Sequence, residues 1–176
     1  IPYLDDRICS AAVVLLCTKT TKMGTIHLCE KTNRHTASNY RGEILGGIIT
    51  GHILNVIDRF NNTPAGTVTC YCGNMGVIKH ANNKSKPLSE KQPQLDALLS
   101  FRHLLTSTKT NWKYDYVESH LDTTHSIDHL TIPQRLNVWA DNLAKHALIT
   151  AHRTNRYTKP EYPGETVRLF LDGHKV

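Results

Sequence analysis

Residues 67–81 read TVTCYCGNMGVIKHA, and the fold class turns on this stretch. Thr67–Cys72 is rich in β-branched and aromatic side chains, as strands are. Gly73 and Asn74 close it, and a short helix over Met75–Ala81 follows. A strand that hands over directly to a helix points to a chain that alternates the two. Upstream, Ala11–Thr18 (AAVVLLCT) is an apolar run of strand length, and Gly24–Glu30 alternates with Ile26 and Leu28 on one face. The polar, basic Lys19–Lys22 between them reads as a hairpin turn. Ile1–Leu4 is strand-like as well.

Thr36–Asn39 supplies helix-start chemistry, with Ser38 or Asn39 as the N-cap. The helix it opens, Ser38–Phe60, carries Ile44, Leu45, Ile48, Ile49, Ile53, Val56 and Ile57 at helical spacing. Gly46, Gly47 and Gly51 would each weaken an isolated helix by ~1 kcal/mol relative to Ala. Their presence predicts close packing against a sheet.

Downstream, Asn82–Pro93 is a polar loop. Leu95, Leu98, Leu99, Leu104 and Leu105 then form a helical stripe, with Phe101 and His103 off it. Trp112–Ser119 alternates strictly, which predicts a strand with Trp112, Tyr114 and Tyr116 on one face. Those aromatics are either core or a platform for stacked bases. Residues 120–133 are a polar loop. After Pro133 comes a last helix striped by Leu136, Ala140, Leu143, Ala144, Ala147 and Leu148. From Ala151 the chain reads as irregular up to a strand-like Thr166–Leu171, so residues 1–150 are expected to form the domain and 151–176 a C-terminal extension.

The 176 residues suffice for one domain with a real core. No apolar run approaches the ~20 residues of a membrane span, so no membrane association is expected. The five cysteines lack CxxC pairing, and four sit in β-like runs where Cys acts as a small hydrophobe. A reduced, intracellular protein is the simple expectation. The net charge of +6 favours an anionic partner, nucleic acid being the commonest. Lys79, Lys84, Lys86 and Lys91 gather near the polar loop. His120, His125 and His129 have metal-like spacing without the Cys residues or regular helix that would support a zinc site.

Three segments occur in the order and spacing of one family. Thr36–Glu43 (TASNYRGE) resembles a helix start that carries a site Glu. Val117–His120 (VESH) resembles a strand end followed by a loop His, and Asn137–Ala144 (NVWADNLA) resembles a closing helix with the pattern N-x-x-A-D-x-L-A. Over residues 1–150 the chain thus resembles the ribonuclease H family, in particular the RNase H domains of retroelement reverse transcriptases. The resemblance implies a mixed five-stranded α/β sheet with helices on both faces. It also implies membership of a larger reverse transcriptase polyprotein. The implied activity is endonucleolytic cleavage of the RNA strand of RNA–DNA hybrids by two Mg2+ or Mn2+ ions.

Within that resemblance Glu43 and Asp141 match metal-binding carboxylates, and His120 matches the loop His that assists proton transfer or product release. For the first carboxylate, Asp5 follows a strand end as the family requires. In another register Asp5-Asp6-Arg7 is a loop and the family's first Asp lies upstream; Asp6 is a third reading. Gly73 stands where the family carries another Asp. Two ions about 4 Å apart clamp the attacking water and the leaving oxygen, and Mg2+ is a hard cation that wants oxygen ligands. Gly73 supplies none, Asn74 is neutral, and Cys72 is too soft a ligand. At most three carboxylates remain, and cleavage is expected to be impaired. The alternative is a non-catalytic nucleic-acid-binding or scaffolding domain with a degenerate site.

Overall fold

A computed structural model of the chain describes residues 8–32, 37–61, 66–157, 170–171 and 174–175. The Ile1–Leu4 segment, Asp5 and Asp6 lie outside the described residues.

The two apolar runs near the start form an antiparallel hairpin of β1 (Ile8–Leu16) and β2 (Met23–Lys31), in register from Ile8 opposite Lys31 to Leu16 opposite Met23. The turn between them is closed by Cys17 N–H donating to Lys22 O at 2.9 Å. Cys9, Ala11, Val13 and Leu28 share the core with α1 (Asn39–Asn61). Ser38 caps that helix, its Oγ accepting the Arg41 N–H at 3.1 Å. Ile44, Leu45, Ile48 and Ile49 are buried as the stripe requires, whereas Val56 is exposed.

The other strands, β3 (Thr67–Cys72) and β4 (Asn111–Tyr116), pair in parallel from Thr67 opposite Asn111 to Cys72 opposite Tyr116. Parallel neighbours need a long crossover, and α2 (Met75–Asn82) and α3 (Leu95–Ser107) supply it. Trp112 and Tyr114 are buried and stack on each other, with ring centroids 6.2 Å apart, while Tyr116 at the strand end is exposed. The strand stops at Tyr116 rather than Ser119.

Two expectations about α1 and α3 are corrected. A Cβ on Gly47 would lie 2.5 Å from Phe101 Cε2, and one on Gly51 would lie 2.8 Å from Leu104 Cβ. Gly47 therefore admits α3 rather than a sheet, whereas Gly51 faces both α3 and the sheet, since the same Cβ would lie 3.1 Å from the Trp112 ring of β4. Phe101, expected off the stripe, is fully buried because it fills the space over Gly47 and meets Tyr114 edge-on at 5.7 Å. Leu99, expected on the stripe, is exposed.

Two polar clusters tie the elements together. Arg41 is 1% exposed, and its guanidinium binds both oxygens of buried Glu30 (2.9 and 3.2 Å) and both of Asp96 (3.0 and 3.1 Å). This joins β2, α1 and the first turn of α3 through paired, charge-assisted bonds. At the other end of α1, the carboxylate of buried Asp58 accepts from Thr108 Oγ1 (2.6 Å), Lys109 N (2.8 Å), Thr110 N (3.2 Å) and Thr110 Oγ1 (2.6 Å). It pins the α3–β4 turn.

The last helix, α4 (Ile132–Thr154), lies along β1 and β2 and also reaches β3. Its start is a Thr131 cap whose N–H and Oγ1 both donate to Gln134 Oε1, at 2.8 and 2.9 Å. The helix continues past residue 150, and Ala151 is buried. A boundary after residue 150 would cut this helix, so the first part of the expected C-terminal extension belongs to the packed unit. Farther on, β5 (Phe170–Leu171) and β6 (His174–Lys175) form a short antiparallel pair. The architecture is mixed α/β. Among the described residues β1–β2 and β3–β4 are separate two-stranded ladders, and no helix is long and apolar enough to cross a membrane.

Candidate functional site

Glu43 sits one turn into α1, just after the Ser38 cap, with its flanking residues Gly42 and Ile44 buried. Its Oε2 accepts the thiol of Cys72, the last residue of β3, at 3.5 Å. Burial pushes the Glu43 carboxyl above its ordinary range. The Cys72 bond opposes that shift, nearby Asp141 adds to it, and His120 opposes it. Glu43 thus lies within the electrostatic field of both residues.

Asp141 is on α4, half-buried, and its Oδ2 lies 3.7 Å from His120 Nδ1. Burial raises its carboxyl as well, while His120 and Lys145 pull it down and Asp122 pushes it up. His120 is exposed, sits just after β4 and takes a left-handed backbone (φ 60°). The loop it opens is not loose. Leu121 and Leu130 pack on Val138 of α4, His125 N–H donates to Leu121 O at 2.8 Å, and Arg135 Nε donates to Leu130 O at 2.8 Å.

Of the sequence candidates, Asp141 on α4 and His120 in the loop between β4 and α4 meet directly, and Glu43 on α1 lies within electrostatic reach of both. Gly73 immediately follows Cys72 and faces the same region, since a Cβ there would fall on Ser119 Oγ. Asp5 and Asp6 lie outside the described residues.

The neighbours that could replace a missing ligand are already engaged. Asn74 Oδ1 caps α2, accepting Gly76 N–H at 2.9 Å and Val77 N–H at 3.2 Å. The Cys72 thiol is pushed up to about 12 by burial and by the adjacent Glu43, which keeps it protonated and a poor metal ligand. Among the described residues no three His, Cys, Asp or Glu side chains come together as a metal-binding group. Glu43 and Asp141 interact electrostatically, and His120, His125 and His129 are not gathered into such a group.

Sequence reasoning missed two contacts. Cys72, weighed only as a metal ligand, touches Glu43, and the only local clue was its place at the strand end. Ser119 reaches Gly73, and the clue was its position directly before His120. Lys79, Lys84, Lys86 and Lys91 are all exposed. The loop carrying Lys84 and Lys86 is held by Arg102, which donates to Asn83 O at 3.1 Å and also to Lys86 O.

The chain matches no protein-family model and no curated protein.

Proposed function

We propose that this chain is a ribonuclease H-like domain of a retroelement reverse transcriptase polyprotein, one that holds RNA–DNA hybrid over a site too poor in carboxylates for efficient cleavage. One observation carries the reading: Glu43 and Asp141, from opposite ends of the chain, share an electrostatic neighbourhood that also holds His120. The order of elements supports it, and so does the parallel pairing of β3 with β4. The proposal extends to a five-stranded mixed sheet, in which a further strand joins the β1–β2 and β3–β4 ladders under α1.

Mg2+ or Mn2+ fits the pair in donor type, because both side chains offer hard, anionic oxygen. Glu43 and Asp141 would hold such an ion, which would act as a Lewis acid on a phosphodiester. A two-ion clamp does not fit the described residues, which gather no group of three metal-ligating side chains at this site, so no cleavage step is assigned to it. The chain's own contribution is clearer. Burial raises both carboxyls, which makes an unneutralised pair costly and favours a bound cation. His120, exposed beside Asp141, is placed to exchange protons with solvent-side groups. The exposed lysines around α2 and its following loop suit phosphate contacts.

A labelled RNA–DNA hybrid incubated with the chain in Mg2+ or Mn2+ tests the impaired site. The expected result is little or no cleavage, unchanged in Glu43→Gln and Asp141→Asn. Robust cleavage by the unaltered chain, abolished by either substitution, would contradict it. The second reading, a purely non-catalytic binding or scaffolding domain, is favoured by the engagement of Asn74 as the cap of α2 and by the protonated Cys72 thiol that donates to Glu43.

A further inference from the structure

Among the described glycines only Gly66 has a positive φ. The backbone at Gly73 therefore suits other residues, and what excludes a side chain there is space. A Cβ built on Gly73 falls on Ser119 Oγ, with Ser119 Cβ at 3.3 Å and Val117 O at 3.5 Å. The segment after β4 is drawn onto the end of β3 because Val117 N–H donates to Cys72 O at 3.2 Å. Beyond it, Leu121 is anchored on Val138. Ser119 is thus fixed between two contacts of the site, Cys72 with Glu43 on one side and His120 with Asp141 on the other.

We infer that Ser119 is a positioning residue whose hydroxyl occupies the side-chain volume of position 73, so that any residue larger than glycine there must turn the hydroxyl aside and loosen the closure of the 117–120 segment over β3. Closure of that segment carries His120 to Asp141. The chemical meaning of the site rests on the ribonuclease H-like reading; the steric coupling does not. One consequence is that Gly73→Asp does not simply add a third carboxylate. The new side chain must first displace Ser119, and His120 moves with it.

A double-mutant cycle tests the coupling. Gly73→Ala should lower the urea midpoint by on the order of 1 M, as overpacking of a closed space does. The same change made in a Ser119→Gly background should cost little. If Gly73→Ala does not fold, recovery of a cooperative transition in the double variant supports the coupling, and failure to recover overturns it. The His120 ring NMR signal, which should respond to Asp141→Asn, should also move in Gly73→Ala and return in the double variant. Little cost in either background, the mark of a hydroxyl that swings aside freely, or equal destabilisation in both would overturn the inference. So would a His120 signal indifferent to Gly73→Ala. Mn2+ binding to Gly73→Asp/Ser119→Gly then tests the metal reading separately. A coupled cycle without tighter Mn2+ binding than the unaltered chain would sink that reading and leave the role of Ser119 standing.

Discussion

Replacing Asp58 by Asn probes the joint between the end of α1 and the α3–β4 turn. The carboxylate is 8% exposed and accepts four hydrogen bonds, two from hydroxyls and two from backbone N–H groups. Those bonds, the Thr108 and Thr110 hydroxyls foremost, lower its pKa from 3.8 to about 2. A depressed folded-state value means that the ionised carboxyl stabilises the fold. That stabilisation is complete above pH 3.8 and is lost as pH falls toward 2. The shift corresponds to about 2 kcal/mol. Asn keeps one acceptor but turns an N–H toward groups that are themselves donors, which leaves at least one buried donor unpaired. The total loss at pH 7 should be about 2–4 kcal/mol. Urea unfolding of both proteins from pH 7 down to 2.5 reads this directly, since contributions from other carboxylates cancel in the difference. The gap should narrow by most of that ~2 kcal/mol by pH 2.5, as pH falls from 3.8 toward 2. A gap that stays constant across that range, or one under ~0.5 kcal/mol at pH 7, would refute the reasoning.

Arg41→Ala should cost about 3–5 kcal/mol, because it withdraws the guanidinium that faces buried Glu30; chemical denaturation measures it, and Arg41→Lys should recover little because an ammonium cannot bind both carboxylates in paired fashion. Neighbouring glycines of α1 should respond in opposite directions. Gly47→Ala meets Phe101 and should destabilise by about 1–3 kcal/mol. At Gly46 the nearest atom to a new Cβ is Ala12 O at 3.9 Å, so Gly46→Ala should stabilise by up to ~1 kcal/mol through helix propensity. Glu43→Gln should raise the urea midpoint at pH 7. With its pKa raised by burial, Glu43 binds its proton more tightly in the folded protein. Its contribution therefore falls as pH rises through that value, and the advantage of Gln should vanish below pH 4.5.

Much of this fold is legible where one face of an element settles its burial. The Ile44–Ile49 stripe, the Trp112–Tyr114 alternation and the β1–β2 hairpin are of that kind. Legibility fails where a second element decides. Gly47 and Gly51 announce a close approach, yet nothing local says whether a sheet or α3 makes it. Phe101 lies off the stripe because a stripe describes one face, while α3 is packed by both α1 and β4. Arg41 sits inside the TASNYRGE segment with no sign that its partners would be Glu30 and Asp96, both distant in sequence. The same holds at the site. Glu43, His120 and Asp141 could be picked out by pattern, and their approach follows from α1 and α4 both lying along β1. Ser119 and Cys72 belong to the site through spatial contacts that no spacing rule encodes.

Salt-dependent binding of an RNA–DNA hybrid tests the central claim most directly. Fluorescence anisotropy with a labelled hybrid, taken from low to physiological salt, should give measurable affinity that falls steeply as salt rises. Each phosphate contact contributes a slope of roughly −0.9 on the log–log plot, so contacts from Lys79, Lys84, Lys86 and Lys91 would give about −3 to −4. Changing Lys84 and Lys86 to Gln should make the slope shallower by nearly 2. Absence of hybrid binding at low salt, or binding indifferent to salt, would contradict the account.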